Sequence, residues 1–239
     1  MGYASASMAP SLSVVFPMWN EEAYIRRAVR AAKAILEGLV EDHEVIIVDD
    51  ASTDATGTIA AELARADPKI RVLTNEGNLK LGATLRRGFQ AATKDLVLYT
   101  DADLPFDLQE LPRAVRLLEY QQADLLSAYR FDRSLEGPLR SVYTFFYTRM
   151  VRLLFGLRVK DVNFAFKLFR RSLLERFPLK SEGSFIDAEL LIRAKRSGAR
   201  IIQIGVDYFP RSRGLSTLAS PGVILKILRE MLGLWPELR

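Results

Sequence analysis

Acidic side chains follow two apolar segments of the chain, at the points where strands would end. Asp49 and Asp50 close the segment EVIIVDD, and Asp101 and Asp103 follow the segment DLVLYT. Two carboxylates one residue apart in a strand-end turn can share a hard divalent cation such as Mg²⁺ or Mn²⁺, and that cation would neutralise a diphosphate. Aspartates also cap turns for purely structural reasons. Taken alone, the D-x-D spacing predicts either an oxygen-ligand metal site or a structural turn.

The composition excludes several other kinds of site. The 239 residues include no cysteine and one histidine, so thiol nucleophiles and zinc–thiolate sites are excluded and a Ser–His–Asp triad is not expected. A net charge of +5, from 34 basic and 29 acidic residues, favours anionic partners such as nucleotides, phosphates or an acidic membrane surface. The basic residues interleave with apolar ones instead of forming a stripe, so no nucleic-acid partner is expected.

Apolar segments alternate with amphipathic helical patterns between residues 11 and 130. The predicted strands are Ser11–Pro17, Glu44–Asp49, Ile70–Thr74, Asp95–Thr100 and Asp124–Ser127, and the predicted helices lie at about Glu21–Glu37, Ala55–Arg65, Leu81–Ala92 and Leu108–Tyr120. Continuous apolar strands between such helices predict a mostly parallel sheet that is covered on both faces. This is the doubly wound α/β pattern, in which ligands bind at the carboxyl ends of the strands.

The pattern changes in the second half of the chain. Pro138–Lys160 is predicted to be a helix that is rich in aromatic residues and carries only positive charge. The segments expected after it are a strand at Phe164–Phe169, a short helix after Arg171, a helix at Ala188–Ser197, a strand at Arg200–Gln203 and an amphipathic helix at Val223–Leu234. No apolar run reaches the roughly 20 residues of a spanning helix. We therefore expect one domain over residues 1–239, with neither a signal peptide nor a transmembrane segment.

Four strings occur in order at the ends of successive predicted strands: FPMWNEEAYI, VDDASTDAT, KLGATLRRGF and DAD. In these strings the chain resembles the family 2 glycosyltransferases, whose nucleotide-sugar-binding fold is called GT-A. SEGSFIDAELLIRAKRSGARI and RSRGLS are similar to the dolichol- or polyprenyl-phosphate mannosyl- and glucosyltransferase branch. The resemblance extends from about residue 11 to 217. It implies a nucleotide-sugar-binding half at about 11–130 and an acceptor- and membrane-facing half at about 131–239.

The resemblance implies a donor-binding role for the residues that follow the first four strands. The implied nucleotide-binding residues are Pro17, Trp19, Glu21, Asp49, Asp50, Lys80, Gly82, Asp101, Ala102 and Asp103. Trp19 stands where the family usually has tyrosine and can still stack on a base, although it could instead be an aromatic that closes the core. Gly82 would allow close backbone contact and Lys80 would offer its charge to phosphate. For Asp54, capping of the following helix is the expected role.

By the same resemblance, Asp101 and Asp103 bind the metal, Mg²⁺ or Mn²⁺. In the polyprenyl-phosphate branch a glutamine often follows two positions after the second aspartate and joins the metal shell. Here that position is Pro105, whose side chain cannot ligate. The two aspartates, the diphosphate and water would then hold the metal.

The acceptor side is assigned in the same way. Arg130, Arg140 and Arg211 are candidates for binding the acceptor's phosphate, because guanidinium groups suit phosphate geometry. For Arg130 and Arg140 the alternative is a solvated surface arginine. Asp187 and Glu189 match an acidic motif that removes a proton from the attacking hydroxyl in sugar-accepting relatives. A phosphate acceptor is already an anion and hardly needs such a base, and Glu189 could instead cap or pair within its helix.

The resemblance therefore implies an inverting, metal-dependent glycosyltransferase that moves a sugar from GDP-mannose or UDP-glucose to a polyprenyl or dolichyl phosphate. The basic, aromatic stretch Pro138–Lys160 fits an amphipathic segment on a membrane surface, or alternatively a core helix. We expect a peripheral enzyme on the cytoplasmic face of a membrane, attached directly or through a separate membrane subunit. Two alternatives stay open: a growing glycan or other hydroxyl acceptor with Asp187 or Glu189 as base, and a nucleotide-binding module without turnover.

Overall fold

The structure, a computed structural model, describes residues 10–132, 138–209 and 221–238, with backbone alone at 138–143, 221, 223 and 224. Its elements are, in chain order, β1 (Leu12–Met18), α1 (Ile25–Leu39), β2 (His43–Asp49), α2 (Thr56–Ala66), β3 (Ile70–Thr74), α3 (Lys80–Ala91), β4 (Leu96–Thr100), α4 (Glu110–Tyr120), β5 (Leu125–Arg130), α5 (Pro138–Phe155), β6 (Phe166–Arg170), a 3₁₀ helix (Arg171–Arg176), α6 (Ile186–Arg196), β7 (Ile201–Val206) and α7 (Pro221–Leu238). The predicted α/β class is confirmed.

The strands form one seven-stranded sheet in the order β3-β2-β1-β4-β6-β5-β7. Every neighbouring pair is parallel except those that involve β6, which runs antiparallel to both β4 and β5. Because β4 and β5 both oppose β6, they run in the same direction as each other. The carboxyl ends of β1 to β5 and of β7 therefore lie at one edge of the sheet, where ligands bind in such folds.

Both faces of the sheet are buried, which explains why the strands are apolar without interruption. Along β1, Val14 and Phe16 belong to one hydrophobic cluster and Val15 to the other, and all three are fully buried. Successive side chains of a strand point to opposite faces, so a strand that is covered on both sides needs an apolar residue at every position. Helices α1 and α4 pack on the first face, and α3 and α6 on the second.

Three predicted boundaries near the functional edge differ from those observed. The helix predicted to reach Lys160 ends at Phe155, because Gly156 adopts a left-handed conformation (φ +62°) that terminates α5. Residues 157–165 consequently run as irregular chain toward β6. Helix α1 begins at Ile25 and not at Glu21, since the carbonyl of Glu21 accepts the N–H groups of both Tyr24 and Ile25 in a turn. Strand β5 extends to Arg130, beyond its predicted end at Ser127.

In the described part of the chain, no helix is long and apolar enough to cross a bilayer.

Candidate active site

The turns that follow β1 to β4 at the carboxyl edge of the sheet form what we call the strand-end site. Among the described residues, the non-glycine residues with positive φ are Asn20, Ala51, Lys80, Leu104 and Gln122. All but the last lie in these four turns. A left-handed residue other than glycine costs about 1–2 kcal/mol, and such strain collects at functional sites where the surroundings hold it in place. The concentration of strain marks this edge as the functional one.

Side chains lock the turns after β1 and β2 to each other. The Oδ1 atom of Asn20 accepts the N–H of Thr53 at 2.8 Å, and the N–H of Asn20 donates to the hydroxyl of Ser52 at 2.9 Å. The carboxylate of Asp54 accepts the N–H of Thr56 at 2.9 Å, at the start of α2, which fits the expected capping role. Burial, the largest single influence, opposes ionisation of Asp54, but the hydrogen bonds from Thr56 and from the N–H of Glu22 contribute to a net lowering of the pKa of this carboxyl. The two turns therefore form one preorganised frame.

The aromatic side chain on this frame is open to solvent. Trp19 is 49% exposed, so it does not close the core and its ring is available for stacking. Pro17, two residues earlier, lies within β1 and pairs with Val48 of β2. The backbone N–H of Glu21 donates to the Thr56 hydroxyl at 2.8 Å, which ties the end of the β1 turn to α2. Contact of these residues with a base or ribose stays a prediction.

The acidic pair after β2 is buried and bonded to the protein. Asp49 accepts the N–H of Ser52 at 3.1 Å. Asp50 accepts the side-chain amide of Asn75 and the N–H of Leu79, each at 2.7 Å, and the N–H of Lys80 at 3.0 Å. Asp50 therefore anchors the turn after β3 and the first turn of α3. Its proximity to a bound base stays a prediction.

The first turn of α3 contacts a distant part of the chain. Lys80 is exposed, and its ammonium donates to the side chain of Asn78 at 2.6 Å. The N–H groups of Gly82 and Ala83 both donate to the carbonyl of Glu182, at 2.8 and 3.1 Å. A Cβ at residue 82 would come within 2.7 Å of the Glu182 carbonyl carbon. Glycine is required here for contact with this segment of the protein, whereas the sequence suggested contact with the nucleotide.

Asp101 and Asp103 lie in the turn after β4, and both are partly buried. The N–H of Leu104 donates to the Asp101 carbonyl at 3.2 Å, and buried Ala102 and Leu104 hold the turn against the core. Among the described residues, no group of three or more acidic, His or Cys side chains could hold a metal ion. Mg²⁺ is commonly bound by one or two carboxylates together with substrate phosphates and water, so this donor set fits a metal that arrives with a diphosphate.

Pro105, which replaces the expected glutamine, has a structural contact. Its carbonyl accepts the N–H of Phe209 at 2.9 Å, which joins the D-x-D turn to the segment after β7.

Arg130 ends β5 in a buried ion pair with Asp161. Its Nε and Nη2 atoms donate to the two carboxylate oxygens of Asp161 at 2.7 and 3.0 Å. The guanidinium carbon also lies 5.3 Å from the ring centroids of both Phe164 and Tyr208. The alternative of a solvated surface arginine is therefore wrong for Arg130. Its role toward an acceptor phosphate stays a prediction.

A cavity of about 1090 Å³ opens beside Arg130, between the end of β5, helix α5 and residues 158–160. We call it the basic pocket. Its described lining has five basic side chains (Arg130, Arg149, Arg152, Arg158 and Lys160), four aromatic ones (Tyr129, Phe131, Phe145 and Phe146) and no acidic one. Phe145 and Phe146 are 60% and 65% exposed. The pocket can therefore bind an anion that carries an apolar group.

The two acidic candidates on α6 are buried and do not line the basic pocket. Asp187 lies 3.2 Å from the ammonium of Lys167, which is itself fully buried, and burial raises the pKa of Asp187 despite this partner. Glu189 accepts the N–H groups of Lys180 and Ser181 and the Nε of Arg193, all between 2.7 and 3.0 Å. Of the structural alternatives, the structure shows pairing within the helix, with Arg193, whereas the N–H groups that Glu189 accepts lie outside α6 and no side chain in the described part of the chain caps that helix.

Two arginine candidates remain. Arg140 lies in the first turn of α5, where the structure describes the backbone alone, and Arg211 lies outside the described residues.

Comparison with known proteins agrees with this geometry. Residues 13–177 match the sequence profile described as glycosyl transferase family 2. The chain belongs to this family. Glycosyltransferase AglD of Haloferax volcanii is 33% identical over 215 residues, which are 87% of this chain and 34% of that protein. The dodecaprenyl-phosphate galacturonate synthase of Rhizobium johnstonii is 28% identical over 207 residues, 86% of this chain and 61% of that protein. The chain thus spans between a third and three fifths of the length of these relatives.

A solved structure shows the same fold. Glucosyl-3-phosphoglycerate synthase from Mycobacterium tuberculosis, in complex with Mn²⁺, UDP and glucosyl-3-phosphoglycerate, aligns with a TM-score of 0.70 and 26% identity over 92% of this chain and 80% of that one. The predicted family, fold and enzyme class are therefore confirmed, and the chain is a glycosyltransferase.

The sequence predicted most of the residues that this glycosyltransferase brings to one edge but missed Asp161. One signal could have found it, because Asp161 is the only acidic residue between Glu136 and Glu175 in an otherwise basic stretch. The basic pocket was also missed, since Arg158 and Lys160 were predicted to lie in a helix.

Proposed function

We propose that this family 2 glycosyltransferase transfers a sugar from a nucleotide-sugar to the phosphate of a polyprenyl phosphate. The observation that carries the proposal is the basic pocket, whose described lining combines cations and aromatic rings without an acidic side chain. Relatives named as dodecaprenyl-phosphate and undecaprenyl-phosphate sugar transferases support this acceptor class.

The acceptor argument follows from the chemistry of a lipid phosphate. Its head is an anion, which guanidinium and ammonium groups bind, and its chain is apolar, which exposed Phe145 and Phe146 would contact. A phosphate oxygen would attack the anomeric carbon from the face opposite the leaving group. The new C–O bond forms as the C–O bond to the nucleoside diphosphate breaks, with inversion and with no proton to remove. Catalysis would then consist of positioning and charge stabilisation.

On the donor side, Asp101 and Asp103 would hold Mg²⁺ or Mn²⁺. When bound, such a cation neutralises charge on the leaving diphosphate. Trp19 would stack on the base, and Lys80 would offer its charge to the phosphates. UDP-glucose and GDP-mannose are both candidate donors, and the UDP in the related synthase makes UDP-glucose the first to test.

Helix α5 suggests how the enzyme meets a lipid substrate. Phe145, Phe146 and Leu153 are 60%, 65% and 72% exposed, and exposed Arg149 and Arg152 lie on the same helix. Aromatic residues enter the headgroup region of a bilayer, and each nearby arginine adds about 1 kcal/mol of attraction to an anionic surface. We propose that α5 contacts such a surface, so that the enzyme is a peripheral membrane protein.

A second candidate acceptor is a hydroxyl of a small phosphorylated molecule, because a related structure holds glucosyl-3-phosphoglycerate. Such an acceptor needs a base. Asp187 is buried against Lys167, and Glu189 already accepts two backbone N–H groups and an arginine. These contacts make the phosphate acceptor the better supported of the two.

The test is release of nucleoside diphosphate from UDP-glucose or GDP-mannose with Mn²⁺ or Mg²⁺. Three arms contain a short polyprenyl phosphate, 3-phosphoglycerate or no acceptor. We expect release that depends on the polyprenyl phosphate, with the sugar recovered on the lipid. Release that depends on 3-phosphoglycerate alone would replace the first candidate by the second. If neither acceptor stimulates release although a donor binds with metal, the acceptor class is wrong.

A further inference from the structure

A carboxylate on α7 holds the segment of residues 180–185, which precedes α6. Glu230 accepts the N–H of Gly183 at 2.6 Å and the N–H of Phe185 at 3.3 Å. The first two N–H groups of the segment are held by Glu189 of α6. The segment has no helix or strand hydrogen bonds up to Phe185, so its backbone is held by these two carboxylates and by Arg86 of α3, whose Nη1 donates to the carbonyl of Lys180 at 3.2 Å.

The opposite side of the 180–185 segment holds the first turn of α3. The carbonyl of Glu182 accepts the N–H groups of Gly82 and Ala83, and the approach leaves no room for a Cβ at residue 82. Asp50 holds the same turn from the sheet through the N–H of Lys80 at 3.0 Å. The turn is therefore fixed from two sides, by the carboxylate of Asp50 and by the carbonyl of Glu182.

Lys80 needs this double support. It has φ +74°, a conformation that a residue with a side chain keeps only when its surroundings determine it. If the 180–185 segment moved, the contact at Gly82 and Ala83 would loosen and Lys80 could relax away from its left-handed conformation. The exposed ammonium would then leave the position in which the donor site requires it.

We propose that Glu230 is a positioning residue for donor binding, which acts through the 180–185 segment on the first turn of α3. The inference rests on the proposed function, because that function makes this turn part of the donor site. Glu230 and the 180–185 segment both lie beyond residues 13–177, the part of the chain that matches the family profile.

The test is the affinity of UDP and of GDP in the presence of Mn²⁺, measured by calorimetry on Glu230→Gln. Glutamine keeps one acceptor oxygen but turns an NH₂ group toward an N–H donor, so one of the two hydrogen bonds is lost. We expect about fivefold weaker binding of the nucleotide that the wild type prefers. The KM for the nucleotide-sugar should rise by a similar factor, whereas kcat at saturating donor and the KM for the acceptor should not change.

Glu237→Gln is the matched control. Glu237 lies two turns later on α7, and its carboxylate bonds the side chains of Lys180 and Arg193, at 2.7 and 3.1 Å, without touching the backbone of the segment. The Glu237→Gln variant loses the same charge from the same helix, and we expect it to bind nucleotide as the wild type does. Equal weakening in both variants would show that the effect does not depend on the backbone hydrogen bonds that Glu230 accepts, and would overturn the proposal.

Gly82→Ala provides a second measurement on the same contact. It should also weaken nucleotide binding, and combined with Glu230→Gln it should weaken binding no more than the stronger single variant, because both act through one segment. If the fold-changes in affinity of the two single variants multiply in the double variant, the two effects are independent, and that result would contradict the proposal. If Glu230→Gln does not fold, Glu230→Asp takes its place, because aspartate keeps both carboxylate oxygens on a side chain that is one methylene shorter. We expect Glu230→Asp to bind nucleotide more weakly than the wild type, and wild-type affinity would contradict the proposal.

The two possible failures are distinguishable. If the wild type binds neither nucleotide with Mn²⁺, the proposed function is wrong and this inference falls with it. If the wild type binds a nucleotide and Glu230→Gln binds it equally well, the inference alone is wrong.

Discussion

The strand-end site and the basic pocket lie at the same edge of the sheet but are built in opposite ways. In the strand-end site, left-handed residues and buried carboxylates fix the backbone, as where Asp50 accepts the N–H groups of Leu79 and Lys80. In the basic pocket, long arginine side chains and exposed rings provide the lining. A rigid frame suits a ligand of constant shape, such as a nucleoside diphosphate. An open lining of exposed side chains suits one whose apolar part varies in length.

The largest effect should come from the acidic turn of the strand-end site. Asp101→Asn removes one of the two proposed metal ligands, and we expect kcat to fall about 10³-fold, the size found when a main electrostatic contact to developing charge is removed. The measurement is nucleoside diphosphate release at saturating donor and Mn²⁺. Asp107→Asn, in the same loop but outside the D-x-D string, is the control and should retain activity. Full activity of Asp101→Asn would show that the reaction does not need a metal held by this side chain.

The next effect should appear at the border between the two regions. Asp161→Asn removes the buried carboxylate that bonds the guanidinium of Arg130 at two points, and breaking such a buried pair costs about 3–5 kcal/mol. The free energy of unfolding, obtained from urea denaturation, should fall by that amount. Arg113→Gln breaks an exposed pair with Glu110 and should change stability by less than about 1 kcal/mol. An equally small change in Asp161→Asn would show that Arg130 is held mainly by its contacts with Phe164 and Tyr208.

The two regions also differ in how far the sequence predicted them. Strand-end residues such as Asp50 and Asp101 were found because local patterns, an apolar strand followed by acidic residues, determine where they lie. The strand at Phe164–Phe169 was predicted, but its place in the sheet and its antiparallel direction were not, because FKLFR has the pattern of a buried strand in either direction. Partners that are distant in sequence, such as Arg130 and Asp161, depend on that topology, so periodicity could not place them together.

Gly82 shows a second limit of the sequence. The string KLGATLRRGF predicted a glycine that allows close approach, and the structure confirms the need for close approach but supplies Glu182 as the neighbour. A glycine in a sequence indicates that space is limited at its position, but it does not indicate which residue or ligand occupies that space. The same holds for Glu189, whose type and position matched a catalytic motif while its environment is that of a buried structural carboxylate.

A smaller effect should separate the basic pocket from the strand-end site. Arg149→Gln combined with Arg152→Gln removes two cations from the pocket, and we expect the KM for polyprenyl phosphate to rise about 30-fold, since each contact to a charged group contributes on the order of 1 kcal/mol. The affinity for UDP with Mn²⁺ should stay at the wild-type value. Arg116→Gln, an exposed arginine on α4, is the control for lost surface charge. Loss of nucleotide affinity in the double variant would show that the pocket serves the donor.

The smallest effect tests whether strain in the strand-end site is held for function. Ala51 has φ +55°, where glycine is free of the Cβ clash, so Ala51→Gly should raise the free energy of unfolding by about 0.5–1 kcal/mol after the entropy cost of glycine is subtracted. Ala61→Gly, in the middle of α2, should lower it by about 1 kcal/mol, because there glycine brings only the entropy cost. Urea denaturation measures both. If Ala51→Gly is instead destabilising, the turn after β2 is not strained, and the rigidity of the strand-end site must come from its hydrogen bonds alone. If Ala51→Gly gains stability but binds UDP more weakly, the strained backbone contributes to the shape that the nucleotide requires.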